Sequence, residues 1–462
     1  MEATRRSPVI LLKWLVAIVI PALLFLIPVG DVFTAPIRLF FVVTLFMMIV
    51  IALELVPILM SAIFLPALYI LLQIAPAETA LSAWTKPLPF MLVGAFILAM
   101  GLAECGLLQR LAYGILAKTG STYRGILLGI LAASLLLTFM TSGSADTVMV
   151  AFVFGICVAL KLGSSKTAAG ITMVSAICCV DGCLFIFRPS NMSVLIGGAQ
   201  SVLGEEFNIT YAQLFIHNWP WIIALVLFVL GMCKFWKPDL PINGKEYFEV
   251  EYKKLGKMSP REVKGLIISI VIILLLLTTN LTGFSGEWIL ALVPWVMFIP
   301  GISVATEESI KGVKFPVIFF AVACMSIGFV AGGLGIGPLI TQTVTPLIEG
   351  LSNHWLFAGA AALLGTVLNF LLTPLAMMGV GTAPLVEIAS SMGINPLLGL
   401  YAFYLSCNLV FLPYESTAFL VFYSFGTVKL KHFVQVCAAK FIFFMLWMLV
   451  VMIPYWNLIG VC

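Results

Sequence analysis

The sequence predicts an all-α integral membrane protein of about eleven transmembrane helices in two inverted repeats, each with a re-entrant hairpin and a broken helix. Three observations predict it. The 462 residues are 62% hydrophobic and only 10% charged, with mean hydropathy +1.17, whereas soluble domains are about 45–50% apolar and about 25% charged. Apolar runs of membrane-crossing length recur from one end of the chain to the other. Polar and charged residues interrupt these runs at similar places in the two halves. So few charges cannot solvate the surface of a soluble enzyme, a nucleic-acid binder or a disordered chain. The expected environment is the bilayer, and no nucleic-acid partner is expected. The cysteines show no CxxC pattern, and His217, His354 and His432 lie far apart. No metal site or resident cofactor is therefore expected, and the thiols read as small packing groups.

Residues 1–34 form an N-terminal helix. Arg5 and Arg6 precede an apolar run from Pro8 to Val29, roughly 33 Å of helix at 1.5 Å per residue. The run is long for a signal peptide and has no small-residue cleavage site, so it reads as a span. Residues 35–236 form the first repeat, with a hairpin at about 125–160 and a broken helix at about 167–200. Residues 237–262 are the one soluble-looking stretch and read as a charged cytoplasmic linker. Residues 263–462 form the second repeat, with a hairpin at about 354–390 and a broken helix at about 397–426.

The basic residues set the orientation. With the N-terminus inside, all but three of the 24 Lys and Arg residues fall in cytoplasmic segments, among them the linker group, Lys311, Lys314, Lys429, Lys431 and Lys440. Arg38 and Lys86 fall outside and Arg188 within the membrane. This is the positive-inside pattern, with a cytoplasmic N-terminus and an external C-terminus of a multi-pass inner-membrane protein. The signs stay consistent only if 125–160 and 354–390 each enter and leave on one side. The halves also align weakly. FILAMGLAECGLL at 96–108 matches ACMSIGFVAGGLGI at 323–336, with Gly101 on Gly328 and Gly106-Leu107 on Gly333-Leu334. Inverted repeats with helices broken at the midplane are the mark of secondary transporters.

Four segments carry polarity where hydrocarbon is expected. The first hairpin turns at Thr141-Ser142-Gly143-Ser144-Ala145-Asp146. The first broken helix opens at Asp181-Gly182 and again at Arg188-Pro189-Ser190-Asn191. The second hairpin turns near Asn369, Thr373 and Pro374. The second broken helix carries Asn408 and then Pro413-Tyr414-Glu415-Ser416-Thr417. Irregular backbone at membrane depth is tolerated only where protein or a water-filled cavity satisfies it, and ionisable groups there are functional by default. Pro189 frees a carbonyl and opens a half-helix N-terminus beside the Arg188 guanidinium, an arrangement suited to anions. A buried pair that only locks helices together is the alternative for Arg188, and backbone capping is the alternative for each hydroxyl. Glu54 and Glu104 read as helix-end residues.

At these segments the chain resembles the divalent anion/sodium symporter (DASS) family of the ion-transporter superfamily, over about residues 35–460. FMLVGAFILAMGLAECGLLQRLAYGIL resembles the stretch before that family's first hairpin, and FLPYESTAFLVFYSFGTVKLKHF its final broken helix. The resemblance implies two inverted repeats, a homodimer, and an elevator-type motion that carries dicarboxylates, citrate or sulfate. The family's Ser-Asn-Thr tips read here Ser142-Gly143-Ser144 and Thr373-Pro374-Leu375, and its Pro-Pro-Asn positions read Pro189-Ser190-Asn191 and Thr417-Ala418-Phe419.

The resulting expectation is a secondary transporter of a small organic anion such as a dicarboxylate. Arg188 is its carboxylate anchor. Ser142, Gly143, Ser144, Pro189, Ser190, Asn191, Thr373, Pro374, Glu415, Ser416 and Thr417 line the site. Asp146 and Glu415 are the candidates for coupling. Sodium and protons both stay open as coupling ions, and loss of the Asn residues from the tips predicts uptake without sodium. The same fold carrying an amino acid or other zwitterion is the alternative, because Asp146 and Glu415 suit an ammonium. HExxH, GxSxG and P-loop motifs are absent, so a membrane enzyme or sensor is not expected.

Overall fold

The computed structural model describes residues 8–30, 33–53, 55–240, 244–336, 353–370 and 372–462. Arg5, Arg6 and Glu54 lie outside them. In chain order the main helices are α1 (Pro8–Ala22), α2 (Ala35–Ala52), α3 (Ile58–Leu71), α4 (Leu88–Glu104), α5 (Leu107–Thr119), α6 (Tyr123–Met140), α7 (Asp146–Ala159), α8 (Lys166–Asp181), α9 (Pro189–Leu203), α10 (Tyr211–Asn218) and α11 (Pro220–Phe235). After the linker helix α12 (Lys245–Lys254) come α13 (Pro260–Leu277), α14 (Gly286–Leu292), α15 (Phe315–Gly333), α16 (His354–Asn369), α17 (Pro374–Ser391), α18 (Pro396–Ser406), α19 (Thr417–Ser424), α20 (Leu430–Trp447) and α21 (Ile453–Leu458).

The chain breaks follow from local chemistry. A residue before proline avoids the helical region. Arg188 (φ −98°, ψ 107°), Thr373 (φ −68°, ψ 155°) and Leu412 (φ −122°, ψ 147°) each precede a proline and are extended, so α9 and α17 begin immediately after the first two. The turn between α6 and α7 is made differently, by Ser142 at φ 47° and Gly143 at φ 86°. Gly143 is required twice over: the φ is left-handed, and a Cβ there would lie 2.8 Å from the Arg188 Cβ. Gly106, at φ 84°, sits in the 60° bend between α4 and α5.

Among the described residues, Tyr123–Met140, Lys166–Leu203, Phe315–Gly333 and Leu430–Leu458 are long and apolar enough to cross a bilayer alone, and two bent helix pairs bring the number to six. Shorter apolar helices such as Ala35–Ile51, Leu59–Leu71 and His354–Asn369 accompany them. The many interruptions split runs that the sequence shows as continuous. Large apolar side chains face outward along α1 (Leu11, Leu12), α13 (Ile267, Leu274), α16 (Leu364, Val367) and α20 (Ile442, Leu446). A soluble surface does not carry apolar faces of that extent, and a bilayer covers them.

The packing is crosswise between the halves. Helix α3 packs on α15, and α14 packs on α4. Backbones touch there: a Cβ on Gly94 would lie 1.9 Å from the Leu290 carbonyl oxygen. Helix α9 packs on α17 and α15, while α19 packs on α7 and α8. From Thr167 to Phe187 the α8–α9 segment is entirely buried. The linker is clasped to the body rather than free. Phe248 of α12 is fully buried, and Arg110 of α5 bonds Glu262 (2.6 Å) and the Leu255 and Gly256 carbonyls (both 2.8 Å). Glu104, the last residue of α4, accepts from Arg261, Thr306 and Ser309. All ten cysteines are free thiols.

Candidate functional site

The α6–α7 turn, the α8–α9 break, the α16–α17 turn and the α18–α19 break meet at one cavity of about 230 Å³. Its wall includes Ser144 and Asp146 from the first turn, and Arg188, Ser190 and Asn191 from the first break. Thr373 and Pro374 come from the second turn, and Cys407, Asn408, Ser416 and Thr417 from the second break. Phe96, Phe320 and Val421 supply apolar wall, and the exposed Lys314 stands at the mouth.

Four helices, α7, α9, α17 and α19, present their first residues, or residues within the first turn, to this cavity: Asp146, Ser190, Pro374 and Thr417. Helix N-termini carry unsatisfied N–H groups and partial positive charge. Arg188 and Lys314 add two cations against the single lining carboxylate of Asp146. Arg188 Nη2 donates to Asp146 Oδ2 at 3.1 Å, with both side chains partly open, at 18% and 15% exposure. The pair therefore borders the cavity and is not sealed in the packing. Thr373 Oγ1 is buried with no hydrogen-bond partner among the described residues, and such groups call for a ligand or water. Ser190 Oγ donates to Asn191 Oδ1 at 3.1 Å.

Four of the residues expected in the site stand elsewhere. Ser142 lines a separate apolar recess with Phe139, Phe185, Phe187 and Tyr211. Gly143 is backbone packed on Arg188. Pro189 is buried and starts α9. Glu415 is 1% exposed, and its own break satisfies it: Phe411 N–H donates to Oε2 (3.1 Å) and Leu412 N–H to Oε1 (2.8 Å). A carboxylate placed just after freed backbone donors is capped by them before it can reach across a cavity.

Lys440 corrects the sorting of basic residues. It is no loop cation: it sits within α20 with no exposure, and its Nζ donates to Asp181 Oδ2 (3.0 Å) and the Asn408 carbonyl (2.6 Å). The sequence signal was there, a lone lysine inside an apolar run. Lys314 was likewise counted only as a loop charge, although it directly precedes the Phe315-Pro316 helix start. Two further bonds tie the breaks together, Tyr404 Oη to the Cys183 carbonyl (3.1 Å) and Asn408 Nδ2 to the Val180 carbonyl (3.4 Å). Among the described residues no cluster of His, Cys, Asp or Glu fits a metal ion.

The family model described as citrate transporter (CitMHS) matches residues 43–404, and the chain belongs to that family. Its fold is similar to that of the YdaH transporter of Alcanivorax borkumensis, with TM-score 0.52 and 12% identity, covering 83% of this chain and 88% of that one. It is also similar to MtrF of Neisseria gonorrhoeae, of a class of antimetabolite efflux pumps, with TM-score 0.53 and 13% identity, covering 98% of this chain and 95% of that one. At such identities the likeness shows the fold alone. No curated protein matches by sequence. The chain is thus a multi-pass membrane transporter and not an enzyme.

Proposed function

We propose that this member of the citrate transporter family is a secondary transporter of small polycarboxylates, with citrate or a dicarboxylate as substrate. One observation carries the reading: two cations and four helix N-termini converge on a single cavity that holds one carboxylate. Arg188 is the anchor, because a guanidinium grips a carboxylate with two parallel bonds. Ser144, Ser190, Asn191, Thr373, Ser416 and Thr417 orient the substrate, and Lys314 attracts it at the mouth. Asp146 holds the guanidinium until a substrate carboxylate arrives. It also favours the second reading, a zwitterion whose ammonium would meet Asp146.

The crosswise pairs α3–α15 with α14–α4, and α9–α17 with α19–α7, support two inverted repeats built as 35–236 and 263–462 around the linker. In this reading the α6–α7 and α16–α17 hairpins are re-entrant and about eleven spans cross the inner membrane. The N-terminus is cytoplasmic and the C-terminus external. The hairpins and broken helices move as an elevator within a homodimer, in the manner of DASS-like carriers. The mouth at Lys314 then faces the cytoplasm.

The experiment is a thermal-shift screen of citrate, succinate, sulfate and amino acids on the purified protein. Uptake into proteoliposomes follows, with sodium replaced by choline at two pH values. Stabilisation by carboxylates and uptake without sodium are expected. Stabilisation by amino acids and by no carboxylate overturns the substrate assignment, and abolition of uptake in choline overturns the coupling assignment. Labelling of linker cysteines from outside intact cells overturns the orientation.

A further inference from the structure

The Asp181–Lys440 pair lies outside the cavity wall, with no exposure on either side chain. Besides Asp181 Oδ2 and the Asn408 carbonyl, the Lys440 ammonium meets the face of Phe419, 4.9 Å from the ring centroid. Asp181 is the last residue of α8, and Asn408 lies two residues past the end of α18. The ammonium therefore bridges the C-terminal ends of both half-helices, where backbone dipoles leave partial negative charge. A carboxylate, a freed carbonyl and an aromatic face around one spot make a monocation site. Half-helix C-termini and unwound carbonyls are where secondary transporters hold a coupling cation. The neighbours Val180 and Cys407, and Asn408 itself, line the cavity on the other side. Asp181 Oδ1 has no partner among the described residues, so the site keeps acceptor capacity beyond what Lys440 uses.

We propose that Lys440 is a tethered cation that fills a monovalent-cation site between the two chain breaks and holds them in the geometry that binds the substrate anion. The inference rests on the anion-transport reading and deepens it: the chain carries its own cation where other carriers recruit a free one. Lys440 does not line the cavity and reaches it only through Asn408, so it is a positioning residue. The competing account is a pair that only stabilises packing. It makes a different prediction, because replacing a buried ion pair by uncharged groups of similar volume is often neutral or stabilising.

The test uses full-length protein in proteoliposomes, with citrate and succinate as probes, and thermal stability measured in parallel. Lys440→Ala is assayed in choline, in sodium and in methylammonium. We expect uptake in choline to fall by about tenfold or more and to recover when sodium or methylammonium saturates the vacated site. Lys440→Ala combined with Asp181→Asn should show no recovery, since the carboxylate is gone. Lys440→Met combined with Asp181→Asn removes both charges at similar volume. It should keep the parent's melting temperature and still lose uptake by about tenfold or more. Normal uptake by that Met/Asn variant overturns the proposal, as does its failure to fold. A folded Lys440→Ala that responds to no monovalent cation overturns it as well. If Lys440→Ala does not fold, the Met/Asn variant decides. Failure of the anion reading is seen separately, in the parent alone, as absence of carboxylate binding.

Discussion

The two breaks at the centre of the molecule are made of similar parts and use their charges in opposite ways. The first, residues 182–188, sends Arg188 to the cavity, where it meets Asp146 of another element at 3.1 Å. The second, residues 407–416, keeps Glu415 for itself, bonded to the N–H groups of Phe411 and Leu412. The difference lies in what a chain break offers. A half-helix N-terminus and the turn before it supply spare N–H donors. An acid placed there finds partners within four residues. A guanidinium has only donors and finds no acceptor at a helix start, so it must reach a distant carboxylate or a substrate anion. A charge at a break is thus left to find a partner elsewhere when its sign matches the local backbone groups, and is capped when its sign opposes them.

The largest effect is expected at the first break. Arg188→Lys should lower citrate or succinate affinity about 10–100-fold, from the loss of a charge-assisted bond of about 1.5–3 kcal/mol, with the fold intact. Isothermal titration and uptake measure it, and normal uptake breaks the contrast drawn here. Glu415→Gln should do the reverse. It replaces one accepting oxygen by a donor and should cost about 1–3 kcal/mol of stability, seen as a lower melting temperature, with substrate affinity unchanged. A variant of parental stability and altered KM would return Glu415 to the transport chemistry.

Smaller effects sharpen the comparison at its edges. Lys314→Met should raise KM by about 2–5-fold, because an exposed charge contributes about 0.2–1 kcal/mol, and the difference should shrink in high salt. A KM independent of salt and of this residue removes Lys314 from the entry path. The smallest effect lies in the linker. Asp239 accepts from the Lys166 and Thr167 N–H groups at the start of α8. Partial burial pushes its carboxyl up, but the Thr167 and Lys166 hydrogen bonds outweigh this and bring it down to about 2 from 3.8. Its contribution to stability is therefore full above pH 3.8 and lost as the pH falls through about 2. Asp239→Asn should cost at most about 0.5–1 kcal/mol for this exposed cap. A melting-temperature difference from the parent that grows below pH 3 would contradict that sign.

Much of the centre was legible in the sequence because it is made by covalent geometry. Proline biases the residue before it away from the helical region, which favours a break at Arg188-Pro189 and at Thr373-Pro374. The left-handed Ser142-Gly143 pair was read as a turn from composition. The cavity then gathers Ser144, Asp146, Arg188, Ser190, Asn191, Thr373, Pro374, Ser416 and Thr417, all of them named from the chain. Lys440 carried a local sign of burial, a lone lysine in an apolar run, which positive-inside counting passed over; its pairing with Asp181, 259 residues away, has no such sign. Ser142 was assigned to the site with its neighbours, yet its side chain turns into a different recess.

The sequence by itself determined the solvent, the helical content and the positions of the breaks. These depend on hydrophobicity, on proline and glycine backbone limits, and on intramembrane polarity, all properties of single residues and their neighbours. Only the tertiary structure decided which buried charges face the cavity, which are capped and which are paired. That choice depends on the acceptors and donors that distant helices bring within about 3 Å, and no local pattern records them.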